Sequence, residues 1–191
     1  MKVREVVIFS GQTFQVPQCV QRIDHRATHG WQLRYGGTKL FSDHSSDGSG
    51  AAAALELATR ELLKRIATLP APTRLQRGPS QHKSNDLPVG ISGPVVRLRR
   101  GGRVRDCSLA VLVPQFGGTP RRRTIYIGTE NTYTQERFAA ALERAVEIRD
   151  GAVEVYHRAE TRARRADANV LKAQRKAAKP AKPAKPAKTA K

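Results

Sequence analysis

The sequence predicts an α+β protein: two modules, each a three-stranded antiparallel sheet packed on one helix, followed by a disordered basic C-terminal tail. Three observations predict it. Alternating apolar and polar segments occur in two groups of three. Each group is followed by an alanine-rich stretch with helical spacing, and the two groups lie about 90 residues apart. The chain ends in "KAAKPAKPAKPAKTAK", where Pro at every third position forbids a helix and favours an extended chain.

The elements follow in order. "VREVVIF", residues 3–9, is a short β-rich strand within an N-terminal segment, residues 1–18. The first module spans 19–67. In it "CVQRID" (19–24), "GWQLRY" (30–35) and "TKLFSD" (38–43) read as strands. Glycines 36 and 37 supply the positive φ that a hairpin turn requires. A loop at 44–50 offers Ser49 as an N-cap, and Ala51, Leu55, Ala58, Leu62 and Ile66 form the apolar stripe of a helix.

Residues 68–88 are a Pro-rich linker without periodicity. The second module spans 89–157. "VVRLR" (95–99) alternates, "CSLAVLV" (107–113) is an apolar strand, and "RRRTIYIG" (121–128) alternates again. Thr132 and Gln135 have capping-box spacing. Phe138, Ala141, Leu142, Ala145, Ile148 and Ala152 make one stripe of the helix that follows. "AALEL" at 53–57 and "AALER" at 140–144 occupy matching places in the two helices, which marks an internal duplication. The segment 158–191 begins as an Arg/Ala-rich helix continuation and passes into the tail.

Charge narrows the function. Of 191 residues 35 are Lys or Arg and 16 are Asp or Glu, a net charge of +19. Residues 156–191 carry +10 of it and the rest +9. Such an excess costs self-repulsion in a folded chain and suits a polyanionic partner, first of all nucleic acid. Cys19 and Cys107 form no CxxC pair and no disulfide framework, which points to a reducing compartment. The apolar run "VVIF" at 6–9 is too short for a signal peptide, and no window approaches a membrane span. The expected location is the cytoplasm and nucleoid. A basic amphipathic membrane helix would need a bulky apolar face that 156–176 lacks.

The stretch "TIYIGTENTYTQERFAAALERA", 124–145, resembles the third strand and helix of the Apetala-two (ethylene-response-factor) DNA-binding domain. "IYIGT" at 125–129 fits the strand, "FAAALERA" at 138–145 the helix, and "VGISG" at 89–93 the opening segment. The first module is similar but more divergent, with "THGW" at 28–31 like the second strand of bacterial and phage relatives. The resemblance covers roughly 19–66 and 89–153. The tail is similar to those of linker histones.

The resemblance implies that the exposed sheet face lies in the DNA major groove with the helix behind it, a geometry that period-2 alternation permits. Carried onto this chain, it places Arg97 and Arg99 outward between Val96 and Leu98. Thr124 and Tyr126 would face DNA, and Ile125 and Ile127 the helix. Arg103, Arg105, Arg121, Arg122 and Arg123 would reach phosphates from loops or strand ends. In the first module Leu33 would be core, with Arg22, Gln32, Arg34, Lys39 and Phe41 outward and Trp31 sharing the face of Leu33. Two departures stand out: "SLAVLV" lacks the outward Arg of the family's middle strand, and 19–43 holds only four basic residues against two acidic.

The expected function is therefore double-stranded DNA binding in a nucleoid-associated or transcription-regulatory role, with no enzyme activity and no cofactor. Self-association is left open, and no small-molecule substrate is expected. The alternatives are an accessory DNA-binding factor of a recombination or nuclease system, and an RNA-binding factor. RNA recognition favours exposed aromatics, yet the chain is only 5% aromatic. Cys19, His25, His29 and His44 are loosely zinc-like in spacing, but without a paired CxxC they are read as surface residues. His82, Asn85 and Asp86 supply no nuclease metal constellation.

Overall fold

Alternation organises both halves of the computed structural model, which describes residues 1–26, 28–76, 78–79, 81–83, 85–98 and 101–178. Among these residues the protein is α+β, with three antiparallel sheets and two helices. It divides into two compact units. One comprises residues 1–71 and the chain from Arg162 onward; the other is residues 72–161.

In the first unit, β1 (Val3–Val7) and β2 (Thr13–Pro17) form a hairpin. The sequence reading took 3–9 as one strand and missed β2. The chain turns at Gly11, φ 79°, and returns Phe14 and Val16 to the core, where Val16 is wholly buried. Next, β3 (Val20–His25), β4 (Thr28–Arg34) and β5 (Thr38–Ser42) make an antiparallel meander. Gly36 and Gly37, φ 60° and 108°, turn β4 into β5 as expected.

Helix α1 (Ala51–Thr68) follows. Its Ala51, Ala54, Ala58, Leu62 and Ile66 pack with Val20, Trp31, Leu33 and Tyr35 of the sheet. Alanines at the contact let helix and sheet approach closely, leaving Trp31 fully buried with its indole N–H donating to the Ala51 carbonyl at 2.8 Å. Arg65 ties the β4–β5 turn to the helix by donating to the carbonyls of Tyr35 (3.0 Å) and Gly37 (3.1 Å). The expected Ser49 cap is not formed: the N-cap is Gly50, which makes no side-chain capping bond. A Cβ on Gly50 would meet the Asp43 carbonyl oxygen at 1.8 Å, so only glycine lets the chain pass here.

In the second unit, β6 (Ile91–Leu98), β7 (Arg105–Val113) and β8 (Arg121–Thr129) again form a meander. Alternation predicts the strand from 95, with 89–93 ahead of it. The strand begins at Ile91, and Pro94 falls where the ladder register shifts between Ser92 and Val95, so its missing N–H interrupts no regular pairing. Leu109, Val111, Ile125 and Ile127 pack with Ile91 and with Ala141 and Ala145 of α2 (Gln135–Ala178).

The capping box at Thr132 is corrected. Thr134 caps α2 by accepting from the Arg137 N–H at 3.2 Å, while Thr132 accepts from the Thr129 N–H at 2.9 Å in the preceding turn. The expected helix continuation runs to Ala178, and Ala168 and Leu171 are buried in the core of the first unit, a packing role the sequence analysis did not assign them. The expected disorder at 179–191 lies outside the described residues.

Candidate nucleic-acid interface

Pairing register decides which side chains share each sheet face. In the second unit Val95 stands opposite Ser108, which stands opposite Tyr126; Ala110 pairs with Thr124 and Leu112 with Arg122. These residues lie on the side away from Leu109, Ile125 and Ile127, which face the core. The middle strand therefore presents small side chains, Ser108 and Ala110, while the outer strands present Val95, Arg97, Arg122, Thr124 and Tyr126. The result is a trough of about 340 Å³ whose floor is β7 and whose walls are β6 and β8.

Tyr126 is 57% exposed, and Arg97 and Arg122 are exposed at the rim. The sequence placed Arg97, Thr124 and Tyr126 on this face, and all three are there. It missed Asp106, in register with Arg97 and part of the same lining. Asp106 lies just ahead of the apolar run of β7, so the sequence reading did not include it in the strand.

The arginine triplet stands at a strand end. Residues 121–123 are inside β8, where alternation divides them. Arg122 opens on the trough. Arg123 lies on the opposite face, beside Phe116, Glu147 and Tyr156 on the α2 side, and Arg121 shares its parity. Arg103 is exposed in the turn before β7. Arg105 is exposed at the start of β7, its backbone N–H donating to Glu130 Oε1 at 3.3 Å, and it alternates with Asp106 away from the trough. Arg99 lies outside the described residues. Arg149, which the sequence analysis does not single out, is buried: it donates to the Leu112 carbonyl, and burial lowers its pKa, partly opposed by Asp150.

The first sheet differs. Gln32 and Arg34 face away from the helix as expected, with Arg34 Nε donating to Gln32 Oε1 at 2.6 Å. Arg22, Lys39 and Phe41 do not. Arg22 pairs across the ladder with Trp31, Trp31 with Phe41, and Leu33 with Lys39, so all three share the core-facing side. The Arg22 guanidinium carbon lies 5.0 Å from the Trp31 ring centre, and its side chain is 7% exposed. It is held by Asp24 and by the fully buried Asp43. Burial opposes its charge, but hydrogen bonds and attraction from Asp24 and Asp43 outweigh that and raise its pKa. Lys39 covers the Phe41 ring at 5.2 Å. What remains outward is Gln21, Ile23, His25, Thr28, Gln32, Arg34, Thr38, Leu40 and Ser42; Arg34 is the one Lys or Arg among them, and Lys2 and Arg4 of the neighbouring hairpin line a cavity with it.

Among the described residues no group of three or more His, Cys, Asp and Glu stands together as a metal site. His29 Nδ1 is 2.9 Å from Asp24 Oδ1, and neither Cys19 nor Cys107 is in a disulfide. No described helix is long and apolar enough to cross a membrane. No family model, curated protein or solved structure matches the chain.

Proposed function

We propose that this chain is a double-stranded DNA-binding protein, acting as a nucleoid-associated or transcription-regulatory factor. In this reading it consists of two divergent modules, each a three-stranded meander followed by a helix, and the second module is the reader. The carrying observation is the trough on the outer face of β6–β7–β8, floored by Ser108 and Ala110 and rimmed by Arg97, Arg122, Thr124 and Tyr126. A small-residue floor lets a sheet seat closely on a convex surface. Arginines at the rim supply bidentate donors for guanine edges or phosphates. The net charge of +19 favours a polyanion and a steep salt dependence.

The test is fluorescence anisotropy of a labelled duplex across a salt series, with the full chain and with a chain ending at residue 178. The reading requires that the shortened chain still bind and that some duplex sequences compete better than others. Binding that vanishes with the last residues and ignores sequence would reject it.

A further inference from the structure

A second basic surface lies in the first unit, on its helical side. Arg60 and Lys64 stand one turn apart on α1, and Lys172, Arg175 and Lys176 occupy the last turns of α2. With Leu63 and Ala67 between them, they line a groove of about 510 Å³. Glu56 is the one acid in the lining, and Arg60 engages it at 3.3 Å. The nearby Glu61 is held by Arg65 at 3.0 Å. Among the described residues, no carboxylate lies within ion-pair distance of Lys64, Lys172, Arg175 or Lys176.

Like charges a turn apart on a helix repel, and here two such sets face one groove. A polyanion laid along it relieves that repulsion and releases its own counterions. Sequence continues the cation series beyond Lys176 with lysines at 179, 182, 185, 188 and 191, separated only by Ala, Pro and Thr. That continuation has charge but no bulky apolar anchors, which matches a regularly charged strand better than an acidic amphipathic peptide.

We infer that the first unit contacts duplex DNA through phosphates held in this α1–α2 groove, and not through the outer face of its sheet. The inference rests on the reading of the chain as a duplex-binding protein. It assigns Lys64, Lys172, Arg175 and Lys176 as phosphate ligands and gives Arg34, on the outer face of the sheet, no such role.

The experiment compares the full chain with Lys64→Gln/Lys172→Gln/Arg175→Gln/Lys176→Gln, with Lys64→Arg/Lys172→Arg/Lys176→Arg, and with Arg34→Gln. Each is titrated against one labelled mixed-sequence duplex over a salt series, and each is checked by urea unfolding for an unchanged midpoint. Four lost phosphate contacts make the slope of log affinity against log salt shallower by about 3 to 4, and lower affinity at least about tenfold near 0.1 M salt. The arginine set keeps the slope, and Arg34→Gln keeps both. An unchanged slope and affinity in the glutamine set, with the unaltered chain still binding, overturns the inference and leaves the duplex reading standing. Failure of the unaltered chain to bind duplex overturns both. Groove-dependent binding of a polyglutamate peptide with no effect on duplex assigns the groove to a protein partner instead, and also overturns it.

Discussion

The Arg22 guanidinium holds the Asp43 carboxylate in a fork, a hydrogen bond from Nη1 to Oδ1 at 3.0 Å and an ion-pair contact between Nη2 and Oδ2 at 2.6 Å, on the core-facing side of the first sheet. Asp43 has no exposed side-chain surface. Removing one partner of such a pair leaves the other charge buried, so Asp43→Ala is expected to cost about 3 to 5 kcal/mol. The double change Arg22→Met/Asp43→Leu is expected to cost less than Asp43→Ala alone. Urea unfolding measures both; a loss under about 1 kcal/mol for Asp43→Ala would mean that the fork contributes little.

Acid should weaken the same cluster. Burial pulls the Asp24 carboxyl upward, but hydrogen bonds from Arg22 and His29 and their charges outweigh it and hold it below its ordinary 3.8. A folded-state value below the unfolded one contributes stability that is present above the unfolded value and lost as pH falls through the folded one. The stability gap between the native chain and Asp24→Asn is therefore expected near neutral pH and should close below about pH 4. A gap that stays constant down to about pH 2 contradicts the assignment.

Trp31 is the one tryptophan of the chain and is wholly buried. Its emission should be blue-shifted when folded and report unfolding of the first unit alone. Trp31→Phe shrinks the side chain and removes the donor to the Ala51 carbonyl, with an expected loss of about 2 to 4 kcal/mol. A melting temperature unchanged by this substitution would show that the contact is dispensable.

Gly50→Ala places a methyl group 1.8 Å from the Asp43 carbonyl oxygen, a backbone atom that cannot swing aside. The entry into α1 must shift, at an expected cost of about 2 to 3 kcal/mol, read as a lower urea midpoint followed by Trp31 fluorescence. Wild-type stability in this variant would mean that the loop at 44–50 yields more easily than its packing indicates.

Duplex binding should separate the arginines by face. Arg97→Ala and Arg122→Ala, on the trough, are each expected to weaken binding by about 1 to 3 kcal/mol. Arg123→Ala and Lys39→Ala, on the core-facing sides, should change it by less than about 0.5 kcal/mol. Equal losses at all four positions in anisotropy titrations would show that charge alone matters and that the trough is not the reader.

Much of the fold is legible because period-2 and period-3.6 patterns are local. Trp31 and Leu33, Ile125 and Ile127, and the Ala51–Ile66 stripe identify their own core faces, and Gly36-Gly37 announces its turn. The face of β5 was not legible, because "TKLFS" has an apolar residue at both parities, Leu40 and Phe41. Register chose Phe41, opposite Trp31, and a shift of one residue reverses every side chain. Likewise Arg22 shares the strand face of Val20, but a cation on the core side becomes tolerable only once Asp43, 21 residues away, is folded beside it.

By itself, then, the chain determined the two three-stranded groups, its helices, its surplus of positive charge and the outward side of Arg97, Thr124 and Tyr126, because each follows from neighbours within one element; it did not reveal β2. The tertiary structure decided that Arg22 and Phe41 turn inward, that Lys39 lies exposed on the helix side of its sheet, and that Lys64 meets Lys172 across a groove. Those outcomes depend on strand register and on helices more than 100 residues apart in sequence coming to line one surface, which no local periodicity encodes.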